Sequence, residues 1–366
     1  MTANLVPALD PAPLPGPPWL FQALWLLTFF LHLILVNTVL GGSLLAAFAG
    51  LARGGSREIR ALFVEVNGWA ISFAVTLGIA PLLFIQVVLG RFFYTAAILL
   101  GWAWLGLLGL LTVAYYLNYV AKFRLRAGKD AGGVLAVEAI LFVAIAVIQV
   151  AVNLVHMQPG SWGRVADHVW AALGDPAFVP RLLHFLLAAV AMAGALLAWV
   201  AVRRAGRGGD AETCREMARF GVRAALVATV LQLVDGFWLL LALPEDVLKT
   251  FMRGGAATMV PLTVGILAGV MLLTVLAQIA DPLAQPTKVR RVAELVVGAM
   301  AFMVVTRHQL RAIFLAPERA SERAAVATQW GPLALFLAVF VLCVALTVVA
   351  LVKAVKDRPA PGEEAA

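Results

Sequence analysis

Five histidines are the residues of this chain best suited to coordination or redox chemistry: His32, His156, His168, His184 and His308. A neutral imidazole binds haem iron strongly through one ring nitrogen, and apolar helices form the walls that hold a porphyrin. His32 and His184 stand well inside long apolar runs, where an ionisable residue carries a functional reading by default. The plainer reading, in which each imidazole only hydrogen-bonds a neighbouring helix, stays open beside it. His156 reads as a propionate partner or an interfacial residue, with iron ligation a third option, and His168 as ordinary surface. Cys214 and Cys343 are isolated, and no Cys-x-x-Cys-His occurs, which excludes covalently attached c-type haem and iron–sulfur ligation. Of the other polar residues, Glu138 and Glu294 sit near span ends, where they would snorkel or serve a proton path. Asp235 would pair with an arginine or cap a loop. Gln86, Gln149, Asn67 and Asn153 suit hydrogen bonding between helices.

The elements that must position these groups are membrane spans. Hydrophobic residues make up 63% of the chain and charged residues 13%, against about 25% charge in a soluble domain. The mean hydropathy is +0.95. The net charge of +8 is no nucleic-acid signal, because the basic residues lie in short loops between apolar runs. A span needs about 20 mostly apolar residues. The candidates are Trp19–Leu51, Val64–Leu89, Tyr94–Val120, Val134–His156, Phe178–Val202, Phe220–Leu243, Met259–Ala280, Ala293–Thr306 (continuing toward Leu315) and Trp330–Val355. The fold class is therefore all-α: a polytopic bundle of about nine transmembrane helices in a lipid bilayer. It divides into a Pro-rich segment over 1–18, read as a leader into the first span rather than a removable signal, one bundle over 19–356, and a polar, disordered tail over 357–366.

Loop charge orients the bundle. Loops one, three, five and seven carry Arg53, Arg57 and Arg60; Lys122, Arg124, Arg126 and Lys129; Arg203, Arg204, Arg207 and Arg215; and Lys288, Arg290 and Arg291. The intervening loops are sparser or mixed in sign. An N-out, C-in arrangement follows, which gathers His156, His184 and His308 at the outer end with His32 nearest the middle. The chain shows no internal repeat, which counts against a transporter built from repeated halves.

Several segments, in matching order along most of the chain, resemble the large subunit of cytochrome bd oxidase, a helical protein holding three haems near the outer face. His32-Leu-Ile-Leu-Val-Asn-Thr-Val-Leu-Gly41 resembles its first helix, where a histidine ligates a high-spin haem. Phe73-Ala-Val-Thr-Leu-Gly-Ile-Ala-Pro81 with Gln86 resembles its second. Asn153 with Met157-Gln158-Pro159 resembles the end of its fourth, and Pro180-Arg-Leu-Leu-His184 the start of its fifth, whose histidine ligates the low-spin haem. Arg307-His308-Gln309 falls where the family carries GRQPW. The resemblance implies one or two b-type haems with His184 and His32 as iron ligands and His308 or Met259 as candidates for a sixth. It places His156, Gln86, Asn153, Arg307 and Gln309 around the haem.

Departures from the family pattern change the expected activity. Leu110–Thr112 replace a glutamate of the third helix, and Pro261-Leu-Thr263-Val-Gly265 lacks the family's ligand methionine and its arginine, leaving Met259 nearest. Gly298 falls near a missing ligand glutamate. The long quinol-binding loop shrinks to Pro244–Gly255, in which Lys249 matches a family lysine without its acidic partner. The leading expectation is a membrane cytochrome b of the bacterial inner membrane, relaying electrons between quinol and an outer-side partner, a c-type cytochrome or a second membrane subunit. The alternatives are a divergent terminal oxygen reductase and a haem-free transporter or structural subunit.

Overall fold

The computed structural model describes residues 6–8, 12–51, 56–319 and 325–356. The expected disordered tail, 357–366, lies outside them. The described chain is helical: α1 Pro18–Phe48, α2 Ser56–Leu100, α3 Trp102–Arg126, α4 Gly132–Met157, α5 Trp162–Asp167, α6 Phe178–Ala205, α7 Ala211–Leu241, α8 Glu245–Arg253, α9 Ala256–Ala277, α10 Pro286–Arg319 and α11 Trp330–Lys356. Among the described residues the extended structure is a single bridge between Leu14 and Val326.

Eight of these helices are long and apolar enough to cross a membrane. Helix α10, which holds Arg307, His308 and Arg311, falls outside this set on hydropathy, but its 34 residues reach about 51 Å at 1.5 Å per residue. Large apolar side chains such as Leu108, Val234, Leu267 and Leu342 are more than half exposed. That pattern suits a surface solvated by lipid tails, where helices satisfy their own backbone groups.

Two expected boundaries move. The loop expected around Gly90–Arg91 is helical: α2 bends at Leu89, whose backbone is non-helical (φ −140°, ψ 24°), and continues to Leu100. The third span then starts at Trp102, after a turn at Gly101 with φ +46°. The segment after the bend buries Phe92, Phe93, Ala96, Ala97 and Leu100, so it is held by packing across the end of the bundle. The eighth span likewise runs unbroken from Pro286 to Arg319. Arg307, His308 and Arg311 therefore lie within a helix and not at its end. Tolerance of their charge comes from neighbouring helices, which a hydropathy window does not include.

Ion pairs and hydrogen bonds tie alternate loops together. Arg60 pairs with Asp130, and Lys122 and Arg126 with Glu65, joining loops one and three; Arg215 reaches Asp281, joining five and seven. At the opposite end, Leu14 and Pro15 exchange backbone hydrogen bonds with Ala325, Ala327 and Gln329 just before α11.

Helix α6 is the centre of the packing. At its crossing with α7, a Cβ added to Gly194 would lie 2.6 Å from the Gly221 carbonyl oxygen, and one on Gly221 2.5 Å from that of Gly194. At its crossing with α1, a Cβ on Gly41 would fall 1.9 Å from the Ala189 carbonyl. Small residues permit this approach, and in lipid such close packing replaces the hydrophobic effect as the cohesive force. Replacing Gly221 with Leu should force α6 and α7 apart and cost about 1–3 kcal/mol or more, read as a lower melting temperature in detergent. Replacing the uncrowded Gly106 with Ala should leave it within a degree or two.

Candidate functional site

His32 on α1 turns its ring against α2. Its Nδ1 lies 2.9 Å from the Ala74 carbonyl oxygen, an interaction in which Nδ1–H donates. A Cβ on Gly78 would come within 2.9 Å of the ring, so this glycine is what admits the imidazole. With the proton fixed on Nδ1, the lone pair of Nε2 is left for a ligand, the arrangement by which metal-bound histidines are oriented.

His184 on α6 faces α7. Its Nδ1 lies 3.1 Å from Oδ2 of Asp235, which is only 6% exposed. The expectation that Asp235 pairs with an arginine or caps a loop is thus replaced by a carboxylate–histidine pair. Nε2 accepts from the Gln232 amide at 3.4 Å. Asp235 and Gln232 stand one turn apart on α7, on the face presented to α6. The carboxylate accepts from Nδ1–H and so fixes the tautomer in which Nε2 carries the lone pair.

One turn before His184 begins a group of guanidinium side chains, only part of which the sequence had suggested. Arg181, one turn before His184, donates through Nη1 to Oδ1 of Asn153 at 2.9 Å. Arg307 lies over the Phe29 ring (4.8 Å) and Arg311 over Trp25 (4.4 Å). The three arginines are close enough to act electrostatically on one another and on His156. Among the described residues none of them has a carboxylate within ion-pair distance. Nε and Nη2 of Arg181 and Nε of Arg311 are sealed from solvent without a hydrogen-bond partner. Cation–π contact offsets part of the cost of burying such charge. The remaining donors need acceptors, and an anion would supply both acceptor atoms and the opposite charge.

His156 is buried, at 1% exposure, which removes its interfacial reading. Its Nδ1 lies 3.2 Å from the Val152 carbonyl, its Nε2 is sealed and unpartnered, and the edge of Phe93, from the segment beyond the α2 bend, covers its ring at 6.0 Å. His308 packs edge-on against Trp25 at 5.6 Å with Nδ1 likewise unpartnered. A cavity of about 220 Å³ beside it is lined by Gln22, Leu89, His308, Gln309, Arg311 and Arg319.

The structure thus brings together Asn153, His156, Arg307 and His308 with Arg181, Arg311, Trp25 and Phe29. Other candidates fall away from this group. Gln86 is exposed and accepts from Tyr94. Met259 is half-buried in the first turn of α9. Met303 instead fills the space over Gly265, and Met300 accepts a hydrogen bond from Asn37. Lys249 lies on exposed α8 paired with Glu245, an acidic partner four residues away that the sequence reading had not assigned. His168 is exposed, as expected. The sequence signal for the arginine group was present in the four-residue spacing of Arg307 and Arg311 within one apolar run.

No protein-family model matches this sequence, and no curated protein matches it significantly. Among solved structures, the fold is similar to that of a chain of the bd oxidase from Geobacillus thermodenitrificans, with a TM-score of 0.71 and 15% identity over 94% of this chain and 99% of that one. The protein therefore has a bd-oxidase-like membrane fold. Coverage is nearly complete in both directions, so the likeness takes in the whole bundle and not one region of it.

An uncompensated buried guanidinium destabilises the protein when no anion is bound. Replacing Arg311 with Met should raise the melting temperature of the chain prepared without added ligand, by an amount equivalent to about 1–4 kcal/mol. A thermal melt of the two proteins in the same detergent checks the sign.

Proposed function

We propose that this chain is a b-type cytochrome subunit of a bd-like complex in the bacterial cytoplasmic membrane, relaying electrons between quinol and a partner on the histidine side of the bilayer. The observation that carries the reading is the combination of oriented histidines on α1 and α6 with under-partnered guanidinium groups on α6 and α10. Two histidines have Nδ1 committed to a fixed acceptor, and among the described residues Arg181, Arg307 and Arg311 have no carboxylate within ion-pair distance. A haem has the complementary parts, an iron that takes imidazole nitrogen and two propionates that take guanidinium. The residues present therefore fit the group.

His184 and His32 would hold the iron, with His156 and His308 the other imidazoles at that end, and Arg181, Arg307 and Arg311 would hold the carboxylates. When bound, the haem supplies one-electron chemistry, and the protein sets its orientation and potential. Asp235 orients His184 and strengthens it as a donor; the Ala74 carbonyl and Gly78 do the same for His32. Phe93, Trp25 and Phe29 exclude water from the charges. The Glu245–Lys249 pair on exposed α8 stands where a quinol headgroup would meet one acceptor and one donor. The partner surface belongs to a second membrane subunit or a c-type cytochrome.

An absorption spectrum of the purified protein tests the reading. A Soret band with a low-spin reduced spectrum is expected, unaltered by carbon monoxide; absence of a Soret band would refute it in favour of a haem-free subunit, and carbon monoxide binding would favour an oxygen reductase. His184→Ala should abolish the low-spin signal. Asp235→Asn should keep the fold and weaken haem retention about 10–100-fold, measured by haem transfer to an acceptor protein.

A further inference from the structure

The end of the bundle opposite the histidines holds a buried polar group that electron transfer does not use. Glu138 lies on α4, six residues in from Gly132, or about 9 Å along the axis. It is fully buried, so it does not snorkel. Glu294, its counterpart in the sequence reading, does reach the surface and pairs with Arg290.

Around Glu138 the neighbouring helices bring neutral groups. Ser43 of α1 donates to Oε1 at 3.3 Å, and Asn67 of α2 donates through Nδ2 to the Ser43 hydroxyl at 3.0 Å. Oε2 of Glu138 and Oδ1 of Asn67 are sealed from solvent and unpartnered. Among the described residues no Lys, Arg or His forms an ion pair or hydrogen bond with this carboxyl group. Of the charged groups near this end, Arg60, Glu65, Lys122, Arg126 and Asp130 are paired with one another, while Arg57 and Arg124 donate to backbone carbonyls. Arg60 also donates to the Ala46 carbonyl, one turn from Ser43, which places that surface pair next to the buried group.

A lone carboxylate in an apolar interior is too costly to persist without a positive charge. The available donors are all oxygens: two of a carboxyl group, one hydroxyl and one amide. Such a set suits a hard monovalent cation, with the proton as its smallest member, and has no feature that favours a soft or transition metal. Gly42 lets α2 approach the site closely, because a Cβ there would lie 2.6 Å from the Phe63 ring and 3.1 Å from Oδ1 of Asn67.

We propose that Glu138, Ser43 and Asn67 form a binding site for one monovalent cation, a proton or a sodium ion, reached from the end of the bundle that carries Arg60 and Asp130. The site shares no residue with the haem reading and stands without it.

Infrared spectroscopy of the full chain in lipid nanodiscs tests the site. If the ligand is a proton, the wild type shows a carboxylic-acid C=O band that shifts in D₂O, disappears in Glu138→Gln and moves without disappearing in Ser43→Ala. If it is sodium, that band is missing, and exchanging choline for sodium ions shifts the carboxylate bands and raises the melting temperature in the wild type but not in Glu138→Gln. A wild type with neither a Glu138-dependent acid band nor a sodium response overturns the proposal. Should Glu138→Gln fail to fold, Ser43→Ala and Asn67→Ala give the same readouts, with an altered acid band or a weakened sodium response expected and wild-type behaviour in both overturning it.

Discussion

The close approach of α6 to its neighbours is the contact on which the remaining architecture depends. Without side chains at Gly194 and Gly221, the backbones of α6 and α7 meet directly, and this fixes His184 opposite Asp235 and Gln232. The same helix meets α1 at Gly41 and sends Arg181 toward Asn153 on α4. A helix that presented Leu at these crossings would stand farther away, and a 3.1 Å hydrogen bond across the gap would be lost. In lipid no gain from excluding water would restore the contact. The polar chemistry of the bundle is thus a consequence of where it is most tightly packed.

Polar groups divide between the two ends of the bundle and differ in kind. At one end, guanidinium and imidazole groups outnumber acids and retain unpartnered nitrogens. At the other, a carboxyl group is surrounded by neutral oxygens. Each set is complementary to what it lacks: an anion on the histidine side and a small cation on the other. An apolar cluster that includes Ala70, Ala189 and Ala193 packs α1, α2, α4 and α6 together.

Much of the bundle was legible in the sequence. Nine apolar runs and the alternation of basic loops led to the observed order of helices, because length and hydropathy are properties of each segment alone. What escaped depended on pairs of segments. The bend at Leu89 was read as a loop since Gly90 and Arg91 resemble one, whereas buried Phe92 and Phe93 hold the following residues helical. The continuation of α10 through Arg307 and Arg311 was hidden because the rings that cover these charges, Phe29 and Trp25, belong to α1. Asp235 could be placed near a span end, but its partner lies 51 residues away. The candidate histidines were found from residue type and Arg307 from the resemblance; Arg181 and Arg311 were not singled out, although the spacing of Arg307 and Arg311 put both on one helical face.

The strap formed by Leu14 and Pro15 has a consequence for biogenesis. It pairs with residues 325–329, just ahead of α11, a helix whose apolar surface, including Leu335, Val341 and Leu346, is largely bare. Residues 14 and 15 are made long before residues 325–329, so the strap closes only after α10 is complete. Insertion can proceed helix by helix along the chain, but this closure cannot. A chain released before that point would lack the clasp ahead of α11.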